Sequence, residues 1–159
     1  MSEANTAVAT AKTALEDKIL TFTVDGQIYG VELAYATEII GMQPITRVPH
    51  VPAFVKGVIN LRGRVVPVIN VRARFGKEEI PYDELTCIVI VDVGDLTVGL
   101  IVDAVAEVIT FTRADVSDAP DYKAVNTGGY ISYLVTTGGE IKLVLDVRRL
   151  IDEASAAAE

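Results

Sequence analysis

The chain has 159 residues, half of them apolar, with 22 acids against 14 bases and a formal charge of -8. That acidic balance argues against nucleic acid as the main partner, because neutralising phosphate needs a basic face. The single cysteine, Cys87, excludes a disulfide within the chain and fits a reducing, cytoplasmic setting.

The mean hydropathy of +0.38 and mass of 17.0 kDa suit one domain or two very small ones, with a core that needs no staple. No apolar run approaches the roughly 18 residues that span a bilayer. Residues 1–17 are rich in Ala, Thr and acid, and read as a flexible tail with no secretory signal. Ile19 to Val24 alternates, Asp25-Gly26 signals a hairpin turn, and Gln27 to Leu33 returns. Ala34 to Ile40 reads as one or two helical turns. GMQPITRVPHVP, from Gly41, carries three prolines and reads as an extended connector.

Gly57 to Leu61, a turn at Arg62-Gly63, and Val65 to Val71 make a second hairpin. Gly57 and Gly63 are read as structural turn glycines, Gly63 meeting a demand for positive φ. Pro67 inside the returning strand points to a sheet edge or a bulge. Arg72 to Phe75 reads as a short helix closed by Gly76. Thr86 to Val93 and Leu96 to Asp103 are strands about a Gly94-Asp95 turn. Residues 154–159 read as a C-terminal tail.

The pattern repeats. YGVELAYATEII from Tyr29 aligns with VGLIVDAVAEVI from Val98, so Gly30 matches Gly99 and Glu38 matches Glu107, 69 positions on. VVPVINVR (Val65 to Arg72) aligns with IKLVLDVR (Ile141 to Arg148), 76 positions on. The connector between them holds Pro120, Tyr122 and Gly128-Gly129. Such a repeat argues for two similar small β units that share a core and leave a groove between them.

No catalytic constellation emerges. His50 is the only histidine, and one imidazole without a second nitrogen or thiol makes no usual zinc site. Neither GxxxxGK[ST] nor GxGxxG occurs. Asp92, Asp95 and Asp103 match no calcium-loop spacing. The chain reads as a binding module with no enzyme activity, cofactor or metal.

The most unusual feature is charge. Lys56, Arg62, Arg64, Arg72, Arg74 and Lys77 are six of the 14 cations, within 22 residues. Two readings stay open. The cations form a solvated rim that keeps an apolar edge from pairing with other chains. Alternatively they anchor a partner, for which Arg supplies a rigid fork of donors. In either case Arg62 can span a groove to Glu38. A nucleic-acid binder stacking bases on Phe54 and Phe75 is the competing class, opposed by the net charge.

The block FVKGVINLRGRVVPVINVR (Phe54 to Arg72) resembles the signature of CheW-type coupling proteins of bacterial chemotaxis, with its N-L-R-G core, following Pro and final aliphatic-[DN]-[LV]-R. FTVDGQIYGVELAYATEIIG, PITRVPHVPAF and VGLIVDAVAEVI resemble the family's flanking segments, so the likeness covers about residues 18 to 152. Asn70 stands where the family commonly has Asp, and Tyr133 where it usually has a small residue.

The resemblance implies a mainly β fold of two SH3-like five-stranded β-barrels packed side by side, with short helices. The folded region would be 18–153, in subdomains of about 18–82 and 83–153. It implies a non-catalytic adaptor, monomeric alone, in a membrane-associated array. The adaptor would link the cytoplasmic tip of chemoreceptors to the regulatory domain of the histidine kinase CheA. A receptor tip would lie in the groove between the barrels, at positions that include Glu38, Ile39, Arg62 and Val105. Kinase contacts would spread over a barrel end of the first unit, and Tyr122 falls where the family carries an aromatic in a second, ring-forming contact. A parallel array controlling surface motility or development is the alternative within the family.

Overall fold

The computed structural model describes residues 17–118 and 129–151. β1 (Lys18–Val24) and β2 (Gln27–Glu32) form the first hairpin, with Asp25 and Gly26 both at positive φ (53° and 77°). This is the two-residue turn whose twist matches the strands. β3 (Ala36–Gly41) follows. β4 (Val55–Leu61) and β5 (Arg64–Asn70) make the second hairpin, and α1 (Val71–Arg74) ends the first repeat. Asn70 caps α1, its Oδ1 accepting from the Ala73 N–H at 3.1 Å.

The second repeat runs in the same order. It comprises β6 (Cys87–Val93), β7 (Leu96–Val102), β8 (Ala104–Thr110), β10 (Ile131–Thr137), β11 (Glu140–Leu145) and helical residues 147–151. A 3-10 turn (Arg113–Asp115) and the short β9 (Val116–Asp118) are inserted before β10.

Three expectations are corrected. Residues 34–40 are not helical: the Tyr35 N–H closes a turn onto the Glu32 carbonyl at 2.9 Å, and β3 then pairs antiparallel with β6 (Ile39↔Val89, Gly41↔Cys87). That distant ladder outweighs the local helical preference. Pro67 does not mark an edge, because β5 lies between β4 and β7. The β7 ladder begins only at Val68↔Gly99, one residue past the proline, and the bulge falls on β4 between Val55 and Gly57.

The third correction concerns the division near residue 82. One sheet has the order β8-β1-β2-β11-β10-β9 and the other β3-β6-β7-β5-β4. Each sheet therefore takes its first hairpin from one repeat and its other main strands from the other repeat. The crossing points are parallel ladders at equivalent sites, Val144↔Gly30 and Val68↔Gly99. Packing is close at both: a Cβ at Gly99 would lie 2.7 Å from Ile88 Cγ2 and 2.8 Å from Val68 Cγ1, and one at Gly30 would press on the tip of Ile19, with Cδ1 at 2.9 Å. The two barrels are interleaved halves of the chain, not consecutive ones, and the first-named sheet gains β9 as a sixth strand.

The core follows this plan. A central cluster, with Phe22, Val31 and Leu145 from one sheet and Val89, Val91 and Leu100 from the other, spans both sheets. Ile59, Val66, Val68, Ile88, Ile90 and Ile101 form a cluster within the five-stranded sheet. Ile19, Phe111, Val135 and Val144 form its counterpart in the six-stranded one.

Candidate functional site

The β4–β5 turn sets the site. Arg62 (φ 52°) and Gly63 (φ 85°) both take the left-handed region, and Asn60 Oδ1 accepts the Gly63 N–H at 2.8 Å. A non-glycine residue rarely adopts this backbone. From it the Arg62 guanidinium reaches Glu38 on β3 and pairs with it. Beside the pair, Arg64 Nη2 donates to Thr97 Oγ1 at 2.9 Å, and the Thr97 hydroxyl donates to Asp92.

These groups line a shallow cavity of about 180 Å³ with Thr37, Leu61 and Ile90. Every lining residue belongs to the five-stranded sheet or its β4–β5 turn. The Glu38–Arg62 pair thus closes the mouth of one barrel and does not bridge a cleft between the two. Ile39, next to Glu38 on β3, is 46% exposed, and Val65, beyond the turn, is 72% exposed. Val105 sits on β8 of the other sheet, paired with Phe22 and packed on the central core. The Cys87 thiol sits against the Val105 backbone, and burial raises its pKa above the ordinary thiol value. Tyr122 lies outside the described residues.

Gly63 is a turn glycine, but Gly57 is not. It sits in β4 at the bulge with φ 141°, and a Cβ there would stand 2.1 Å from the Thr46 carbonyl oxygen. The connector returns at this point to pair Thr46 with Val58 (2.8 and 2.9 Å). Tyr133 holds the corresponding place in the second repeat, opposite Asp118 of β9. Its ring meets Phe111 at 6.2 Å. Burial, then the charges of Glu32 and Asp17, push its hydroxyl pKa well above normal.

All six clustered cations have partners within the chain. Lys56 meets Glu79 at 2.7 Å and Lys77 meets Asp25 at 3.3 Å. Arg72 holds Asp103 through Nε (2.9 Å) and Nη2 (2.7 Å), and donates through Nη1 to the Glu78 carbonyl (3.2 Å) and toward Asp25 (3.5 Å). Asp103 also accepts the Asp25 N–H at 2.9 Å, which joins the β1–β2 turn of one sheet to α1 beside the other. Burial raises the Asp103 pKa, but the Arg72 fork, the Asp25 amide and the Arg72 charge outweigh it, and the net shift is downward. Arg74 lies between two rings, its guanidinium carbon 4.3 Å from the Phe54 centroid and 4.6 Å from that of Tyr130. Its Nε and Nη2 donate to the carbonyls of Leu150 and Arg149 at 2.8 and 3.2 Å.

The charged stretch therefore ties the fold together before it does anything else, while Arg62, paired with Glu38, keeps a largely open side chain (70% exposed). Sequence reasoning missed the Arg72–Asp103 and Arg74–Phe54–Tyr130 assemblies. A readable signal existed for the second, since Phe54 and Tyr130 are separated by the repeat offset of 76. Among the described residues no group of three or more His, Cys, Asp or Glu is placed to hold a metal, and no helix is long and apolar enough to cross a membrane.

Comparison with known proteins agrees with this architecture. Residues 18–155 match the CheW-like domain. The chain is 33% identical over 147 residues to the chemotaxis protein CheW of Bacillus subtilis, covering 92% of this chain and 94% of that one. It is 31% identical over 140 residues to CheW of Klebsiella aerogenes, covering 88% and 84%. The crystal structure of the scaffolding protein TtCheW from Thermoanaerobacter tengcongensis superimposes with a TM-score of 0.80 at 29% identity, covering 86% of this chain and 93% of that one. A domain match over most of its length, with relatives of this similarity, shows that the chain belongs to the CheW family of chemotaxis scaffolding proteins.

Proposed function

We propose that this chain is a non-catalytic cytoplasmic adaptor that couples the tips of chemoreceptors to the regulatory domain of a CheA-type histidine kinase. The observation that carries the reading beyond family membership is the barrel mouth. A paired but open guanidinium, Arg62, shares the five-stranded sheet and its turn with the exposed Ile39 and Val65. Apolar side chains beside an Arg are the composition of interface anchors.

Glu38, Ile39 and Arg62 are the receptor-contact group in this reading. Val105 is a separate contact on the second sheet, and Tyr122 a ring contact. Each single contact is weak and of inter-domain size, and affinity comes from repetition in an array.

The test is reconstitution. Receptor-containing membranes, kinase and this chain are mixed, and kinase autophosphorylation is followed with and without attractant. Attractant control that needs the chain supports the adaptor role. Control that is the same without the chain, or absent with it, overturns the role.

A further inference from the structure

The topology carries an inference about association that stands apart from the adaptor reading. Four ladders join one repeat to the other: β1–β8, β2–β11, β3–β6 and β5–β7. Neither repeat completes a sheet by itself. The covalent link between the repeats is the single segment 75–86, from α1 to β6. The Arg74 sandwich also spans them, with Phe54 from the first repeat and Tyr130 and the Leu150 carbonyl from the second. The barrel mouth is composite too, with Glu38, Arg62 and Arg64 from the first repeat and Asp92 and Thr97 from the second.

We propose that a second copy of this chain is a partner for these same surfaces. Two chains exchange repeats, each closing the other's barrels, with residues 75–86 as the hinge. Exchange re-forms every ladder between chains and needs no new interface, the low-cost route to a dimer. In the exchanged dimer each Glu38–Arg62 mouth is completed by Asp92 of the partner subunit. The balance is set by the link. A short linker gives an effective concentration on the order of millimolar, so the closed monomer wins when dilute and exchange gains ground when unfolded chains are concentrated. Once formed, the dimer is trapped, because release requires opening all four ladders.

Register supplies the test. Gly41 on β3 faces Cys87 on β6 across a ladder between repeats, and a Cβ at Gly41 meets nothing within 4 Å. The full-length G41C variant is unfolded in denaturant, refolded at low micromolar and at near-millimolar concentration, separated by size and oxidised. The expected result is a dimer fraction that grows with refolding concentration. On a non-reducing gel it runs as a covalent dimer, while the monomer fraction stays monomeric with an internal bond. Refolding to monomer alone at every concentration overturns the proposal. So does a dimer fraction that runs as monomers on the gel, which marks surface association. If G41C does not fold, the wild-type dimer fraction decides by dilution. Exchanged dimers persist for hours and revert only through unfolding, whereas dissociation within seconds overturns exchange.

Discussion

Arg62 reaches Glu38 from a left-handed backbone (φ 52°) that an arginine rarely adopts, and the two close the mouth of the five-stranded barrel. The pair has little to offer stability: at 70% exposure the guanidinium is well solvated, and such pairs contribute about 0–1 kcal/mol. Retaining a strained arginine for so small a return is intelligible if the side chain acts on something outside the chain.

The bulge glycine gives a sharp prediction about the fold. Gly57→Ala must place a Cβ within 2.1 Å of the Thr46 carbonyl oxygen, at φ 141°. We expect a loss of about 3 kcal/mol or more, or failure to fold. Gly63→Ala meets nothing within 4 Å and strains only the backbone at φ 85°, so it should cost about 1 kcal/mol. Urea unfolding of the two variants checks the order.

Arg74 is a structural anchor in this account. Arg74→Met removes the charge from between Phe54 and Tyr130 and leaves the Leu150 carbonyl without this donor. A loss of about 2 kcal/mol is expected. Arg74→Lys should recover only part of it, because an ammonium lacks the planar fork. Denaturant midpoints of wild type and both variants measure this, and equal midpoints for Lys and Arg would remove the fork from the argument.

Asp103 predicts a pH dependence. Its folded pKa lies below the ordinary 3.8, net of a burial effect that acts the other way. A depressed carboxylate stabilises the fold above its unfolded pKa, and that contribution disappears as pH falls through the folded value. Asp103→Asn should therefore be less stable than wild type by a constant amount from about pH 7 to pH 5, with the gap closing below about pH 4. Unfolding midpoints across that range test the sign. A gap that widens in acid contradicts the Arg72–Asp103 assignment.

Much of the strand plan was legible because the signals are local. Asp25-Gly26 and Arg62-Gly63 turns, alternating apolar runs and the repeat offsets all report nearest neighbours in the chain. The interleaving of the barrels was not legible. The repeat gives two copies of each strand a matching pattern, and β2 fits β5 of its own repeat as well by pattern as it fits β11 of the other. β3 read as helix because its ladder to β6 lies some 50 residues away. Residue chemistry is enough to pair Arg62 with Glu38, but two consecutive barrels would put that pair at a seam, whereas both residues belong to the five-stranded sheet and its turn. Arg72 and Arg74 looked like surface charge because Asp103 and Tyr130 come from the other repeat.

The most direct test of the account is calorimetric titration of Arg62→Ala with an isolated receptor-tip fragment and, separately, with the kinase regulatory domain. The expected result is a melting temperature close to wild type, receptor binding weaker by about 2 kcal/mol, some thirtyfold, and kinase binding little changed. Wild-type affinity for the receptor tip in a folded Arg62→Ala protein would contradict it.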